Sequence, residues 1–137
     1  HRKEWAWQIM CKKGVDKKPE TKIGILGLSY KENTHSVKNA PALKLLSHIK
    51  GWQVRAYDPK AKLENNSHSF ERVNSIKDAI EGADLLAIMT PWQEFRRITV
   101  KEILELMNGR IILDPYHILD GDYLVKNGFE YEALGSP

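Results

Sequence analysis

Apolar residues fall along this chain in two kinds of stretch, and the two alternate. Lys22–Leu28 (KIGILGL), Asp84–Met89 (DLLAIM) and Arg110–Leu113 (RIIL) are short apolar runs without a polar face, as expected of strands covered on both sides. Trp52–Tyr57 (WQVRAY) alternates instead and stops at the turn pair Asp58-Pro59, and Phe129–Leu134 closes the series. Helical stripes lie between them. Asn39–Ile49 puts Ala42, Leu43, Leu45, Leu46 and Ile49 on one face, with Asn39 as N-cap, Pro41 in the first turn and Gly51 past the end. Ser75 is placed to cap Ile76–Glu81, Thr99 to cap Val100–Met107, and Asp120–Lys126 ends at Asn127-Gly128, while Pro91 opens a helical turn. At the front, Trp5, Ile9 and Met10 recur at helical spacing, so Glu4–Lys13 reads as a helix stopped by Gly14 and followed by a linker around Pro19. Lys60–Val73 is polar, with Asn65, Asn66 and Ser67 marking an exposed connection.

Five strands alternating with helices predict an α/β fold, a parallel sheet with helices on both faces, preceded by a helical arm. In such sheets ligands sit beyond the carboxyl ends of the strands. The informative segments are therefore Ser29–Lys38, Asp58–Lys62, Thr90–Phe95 and Asp114–Leu119. The 137 residues suffice for one domain of ordinary size, and 42% apolar against 28% charged residues is globular composition. The net charge of +3 is uneven: the first 22 residues carry seven Lys/Arg and three acids, and the rest sums to −1. The apolar runs are too short for a bilayer, and no segment resembles a signal peptide. A lone cysteine, Cys11, excludes an intrachain disulfide and suits a reducing compartment, the cytoplasm.

Each candidate site residue has a plain structural alternative. Gly24 and Gly27 precede a long loop that could approach a phosphate, but their spacing is not GxGxxG, and helix-on-sheet packing explains them better. Lys31 and Lys38 lie where a cation could neutralise a phosphate, or they are solvated surface lysines. His35 and His117 sit in rim loops, yet the histidines show no metal-ligand spacing, so no metal site is expected. Cys11 reads as a partly buried, inert thiol. The basic arm with Trp5 and Trp7 either binds nucleic acid or docks its tryptophans on another domain or subunit. The second is favoured because its charges form no stripe. No GxSxG, HExxH, Walker A or CxxC motif occurs.

KIGILGLSYKENTHSVKNAP, at Lys22–Pro41, resembles the opening of the C-terminal domain of the UDP-glucose/GDP-mannose dehydrogenase family. Three further signals follow in the family's order: Tyr57-Asp58-Pro59-Lys60-Ala61, then Ala83-Asp84 through Thr90-Pro91-Trp92-Gln93-Glu94-Phe95, then Asp114–Leu119 with Gly128-Phe129 and Tyr131. The resemblance covers residues 22–135. It implies a Rossmann-like three-layer domain over residues 22–137, with residues 1–21 as the end of a central helix and its linker. It also implies an NAD-dependent oxidation of a nucleotide-sugar C6 alcohol to a carboxylate through a cysteine-bound intermediate, of use in polysaccharide biosynthesis. The NAD-binding domain and the catalytic cysteine would lie upstream of this domain; Cys11 does not match that cysteine's motif.

By position, Tyr30 and Lys31 match the family's aromatic-Lys pair that contacts the nucleotide sugar. Lys38 stands where an Arg reaches toward NAD, and Tyr116 stands where an Arg lies near the substrate, beside Pro115 in place of Gly. His35 and Ser36 replace acidic residues. The implied partners are a nucleotide-sugar substrate, the upstream NAD-binding domain and a second copy of the full-length protein as a homodimer, with neither membrane nor nucleic acid. Because the departures gather on the rim, a non-catalytic nucleotide-sensing or subunit-interaction domain is the alternative.

Overall fold

A computed structural model describes residues 2–63 and 70–135. Its centre is one six-stranded sheet whose strands all run parallel: β1 (Ile23–Leu26), β2 (Val54–Tyr57), β3 (Glu71–Arg72), β4 (Leu85–Ile88), β5 (Ile111–Leu113) and β6 (Glu130–Glu132). Their spatial order is β3-β2-β1-β4-β5-β6. The helices are α1 (Trp5–Lys12), α2 (Pro41–His48), α3 (Ile76–Ile80), α4 (Val100–Leu106) and α5 (Gly121–Lys126), with a 3-10 turn over Gln93–Arg97 after Pro91.

The apolar runs are central because both their faces are covered. Along β4, Leu85 and Ala87 join one buried cluster with α1 and α2 residues, and Leu86 and Ile88 join the other with α3, α4 and α5 residues. That is the period of two, with a core on each side. Ser75 caps α3 through its side chain, Asp120 caps α5, and Thr99 forms a reciprocal capping box with Glu102.

Four expectations need correction. The sheet has a sixth strand: β3 lies inside the stretch read as a polar connection, too short and too charged to show in a hydrophobic pattern. It pairs with β2, with Arg55 Nε 3.3 Å from Glu71. Asn65, Asn66 and Ser67 lie outside the described residues. Asn39 is not the cap of α2; it adopts φ +62°, and Ala40 holds the N-cap position without a side-chain bond. Trp5 and Trp7 pack against this domain's own core, with the Trp7 ring stacked on His48 at 4.7 Å. Cys11 is exposed, off the buried stripe of α1 formed by Ala6 and Met10.

Candidate functional site

The rim is built on the loop after β1. Gly27 has φ +103°, and a Cβ there would stand 2.5 Å from Thr90. Only glycine lets β1 and β4 leave the sheet so close together. The Thr90 hydroxyl then donates to the Ser29 carbonyl at 2.8 Å, tying the two strand ends.

Asp58, 4% exposed at the end of β2, gathers the neighbouring loops. Its carboxylate accepts main-chain N–H groups from Leu28 (2.7 Å), Ser29 (2.8 Å), Lys60 (2.8 Å) and Ala61 (2.7 Å), and the Trp92 indole N–H at 3.0 Å. Burial by itself would raise its pKa, but the N–H donors of Lys60, Leu28, Ser29 and Ala61 prevail and hold it below the usual aspartate range. After β5 the Asp114 carboxylate likewise gathers main-chain and side-chain donors, taking the Ile118 and Leu119 N–H groups and the Tyr131 hydroxyl at 2.6 Å. Burial and the Asp114 carboxylate push the Tyr131 hydroxyl far above its ordinary pKa, so it stays a donor. The sequence marked Asp58 as a turn residue; its place immediately after a strand was the signal for this second role.

So braced, the loops enclose a cleft of about 380 Å³, at the lower end of the size range of ligand pockets. Tyr30 and Lys31 come from the loop after β1, Met89 and Pro91 from the end of β4, and Pro115 and Tyr116 from the end of β5. Tyr30 is half exposed, its N–H held by the Ser36 carbonyl at 2.7 Å. The Tyr116 hydroxyl donates to the Met89 carbonyl at 3.1 Å, so it braces the β4 side of the cleft while its ring helps to line it. The strand order reverses direction between β1 and β4, and open parallel sheets bind ligands at such a switch point.

Three of the four residues singled out in the sequence, Tyr30, Lys31 and Tyr116, thus meet in one cleft. Lys38 is exposed and does not line it. His35 is exposed, and its carbonyl accepts the Lys62 N–H at 2.9 Å. His117 (φ +56°) reaches the Leu134 carbonyl through Nε2 at 2.9 Å. Among the described residues no cluster of His, Cys, Asp or Glu could hold a metal ion. Local desolvation and the nearby Asp16 carboxylate raise the Cys11 thiol pKa, which suits an inert thiol. Lys3 and Trp5 also line the cleft. Periodicity predicted the helix that carries Trp5 and directly follows Lys3, but it carries no information on where that helix docks.

The glycines do not form a dinucleotide cradle. The Cβ position of Gly24 is taken by the Ala79 carbonyl of α3 and that of Gly27 by Thr90, so both serve packing. A pyrophosphate of NAD finds no glycine-rich turn here.

A family model described as "UDP-glucose/GDP-mannose dehydrogenase family, UDP binding domain" matches residues 24–121. UDP-glucose 6-dehydrogenase of Rickettsia typhi is 37% identical over 121 residues, covering 83% of this chain and 28% of that protein. UDP-N-acetyl-D-mannosamine dehydrogenase of Methanocaldococcus jannaschii is 31% identical over 128 residues, covering 90% of this chain and 29% of that protein. Among solved structures, the UDP-D-ManNAc dehydrogenase of Pyrococcus horikoshii superposes with a TM-score of 0.72 at 30% identity, over 95% of this chain and 29% of that one. The chain thus spans a little over a quarter of the length of these relatives. With the parallel sheet, its switch-point cleft and the family match all agreeing, the chain belongs to the UDP-glucose/GDP-mannose dehydrogenase family and carries its UDP-binding domain.

Proposed function

We propose that this chain is the substrate-binding part of an NAD-dependent nucleotide-sugar 6-dehydrogenase, which oxidises a sugar C6 alcohol to a carboxylate. What supports this reading is the convergence of Tyr30, Lys31 and Tyr116 in one cleft at the β1/β4 switch point. In it, the Lys31 ammonium balances the diphosphate charge, and the Tyr30 and Tyr116 rings flank the nucleotide. Their role is to hold the nucleotide end still, so that the sugar projects toward reacting groups supplied by another part of the protein. NAD, when bound, accepts the electrons of the oxidation. Its main site is on the upstream NAD-binding domain, toward which Lys38 contributes charge from the exposed loop. The full-length protein acts as a homodimer in the cytoplasm, in polysaccharide biosynthesis.

In the full-length protein, Lys31→Ala is expected to weaken binding of UDP-glucose, or of whichever nucleotide sugar binds best, by about 1.5–3 kcal/mol in calorimetric titration. Unchanged affinity would return Lys31 to the status of a solvated lysine. A thermal-shift panel of UDP-, GDP- and dTDP-sugars identifies the base, because a ligand of the native state raises its melting temperature. The domain alone is expected to produce no NADH from any of them. Binding without turnover by the full-length protein would instead indicate a nucleotide-sensing domain.

A further inference from the structure

One wall of the cleft comes from outside the sheet and its loops. Lys3 and Trp5 of the arm line it together with Lys31 and Tyr116. The arm is firmly seated. Ala6 and Met10 are buried in the core, and Trp7 lies flat on His48, with ring planes 1° apart. The Glu4 carboxylate, one residue from Lys3, accepts from His48 Nε2 at 2.7 Å and lies 3.5 Å from the Lys44 ammonium of α2. At the far end of α1, Lys13 pairs with Glu130 at 2.8 Å and Glu132 at 3.0 Å. The backbone that carries Lys3 is therefore fixed relative to the cleft.

Charge arithmetic shows what Lys3 adds. Among the described residues lining the cleft, the ionic side chains are Lys3, Lys31 and Glu32. Lys31 and Glu32 are adjacent and opposite in sign, so without the arm the cleft would be neutral. With Lys3 it is positive. A neutral cleft exerts little pull on a polyanion, whereas a positive one concentrates it.

We propose that Lys3 is a second cation of the diphosphate site and that the Glu4–His48 pair positions it. The proposal deepens the nucleotide-sugar reading and rests on it. Lys3 touches the ligand, while Glu4 and His48 act only through the seat of the arm. A lysine held in place in advance binds better than one that must be ordered on binding.

The test is titration calorimetry of the full-length protein with UDP and with uridine, which lacks the phosphates. Lys3→Ala is expected to weaken UDP about tenfold, as for loss of one charge-assisted hydrogen bond, and to leave uridine unchanged. Its UDP affinity also falls less steeply with added salt than that of the parent. Lys3→Arg retains most of the affinity. His48→Ala weakens UDP severalfold in the parent but adds nothing in the Lys3→Ala background, because the two act as one unit. A merely structural His48 would lower uridine binding too and would persist in the double variant. Should Lys3→Ala bind UDP as the parent does while Lys31→Ala is impaired, the second-cation proposal is overturned and the nucleotide-sugar reading stands. If the parent binds no UDP, or Lys31→Ala is silent, both fall.

Discussion

The two ends of the sheet each carry a hollow, and they are held together differently. At the amino ends of the strands, Lys22, Arg55, Glu81 and Gly82 border a cavity of about 240 Å³. The closure there is mostly main chain to main chain: Gly82 N–H to the Leu106 carbonyl at 2.8 Å, Asp84 N–H to Lys22 at 2.8 Å, and Asn108 and Gly109 N–H to Ala83. There Asp84 is a side-chain acceptor of a main-chain group, taking the Lys22 N–H at 2.9 Å. At the carboxyl ends, buried Asp58, Asp114 and Thr90 bind the loops instead. Main-chain closure makes tight turns that depend on glycine: Gly82 has φ +76°, and a Cβ on Gly109 would run into the Asp84 main chain. Side-chain closure lets long loops stand still in one shape, and that end presents aromatic rings together with lysines in one cleft. The larger hollow, about 380 Å³ against about 240 Å³, is also the one whose walls are fixed by buried side chains.

Substitutions can break this contrast at several levels. The largest effect is expected from Asp58→Ala, which strands several buried N–H donors and should cost about 3–5 kcal/mol in denaturant unfolding. Its pH signature follows from a folded pKa below the unfolded one: the contribution is complete above the ordinary aspartate range and is lost as pH falls through that range toward the lower folded value. Asp58→Asn should therefore flatten the acid limb of the stability profile, and an unaltered limb would remove Asp58 from the account. Next is Gly27→Ala, expected to cost about 2–4 kcal/mol because a positive φ coincides with the clash against Thr90. Gly51→Ala, with φ +85° but open space around it, should cost only about 1 kcal/mol. Equal losses at the two glycines would mean that the close approach to Thr90 does not matter. Tyr116→Phe deletes the bond to the Met89 carbonyl and should cost about 0.5–1.5 kcal/mol, measured by thermal unfolding. The smallest belongs to the amino end: Arg55→Ala breaks an exposed pair with Glu71 and should change stability by less than about 0.5 kcal/mol, with UDP affinity untouched.

The elements were legible because their signals are local. Ser75 and Thr99 cap their helices where their side chains said they would, and the apolar runs became central strands. β3 escaped because two exposed residues, Glu71 and Arg72, carry no hydrophobic pattern; it exists through pairing with β2. Asn39 had cap chemistry, but Pro41 set the helix start and Asn39 took a left-handed turn instead.

For the site, the amino-acid sequence by itself determined which residues follow which strand, and hence that Tyr30, Lys31 and Tyr116 lie at the same end of a parallel sheet. It also supplied the ordered motifs that mark the family. Only the tertiary structure decided that Lys3 and Trp5 share their cleft, that Lys38 lies outside it, and that Asp58 is the acceptor joining three loops. The physical reason is range. Strand and helix signals arise from neighbours a few residues apart, whereas the docking of an arm and the filling of a buried carboxylate depend on groups brought together by packing from distant parts of the chain.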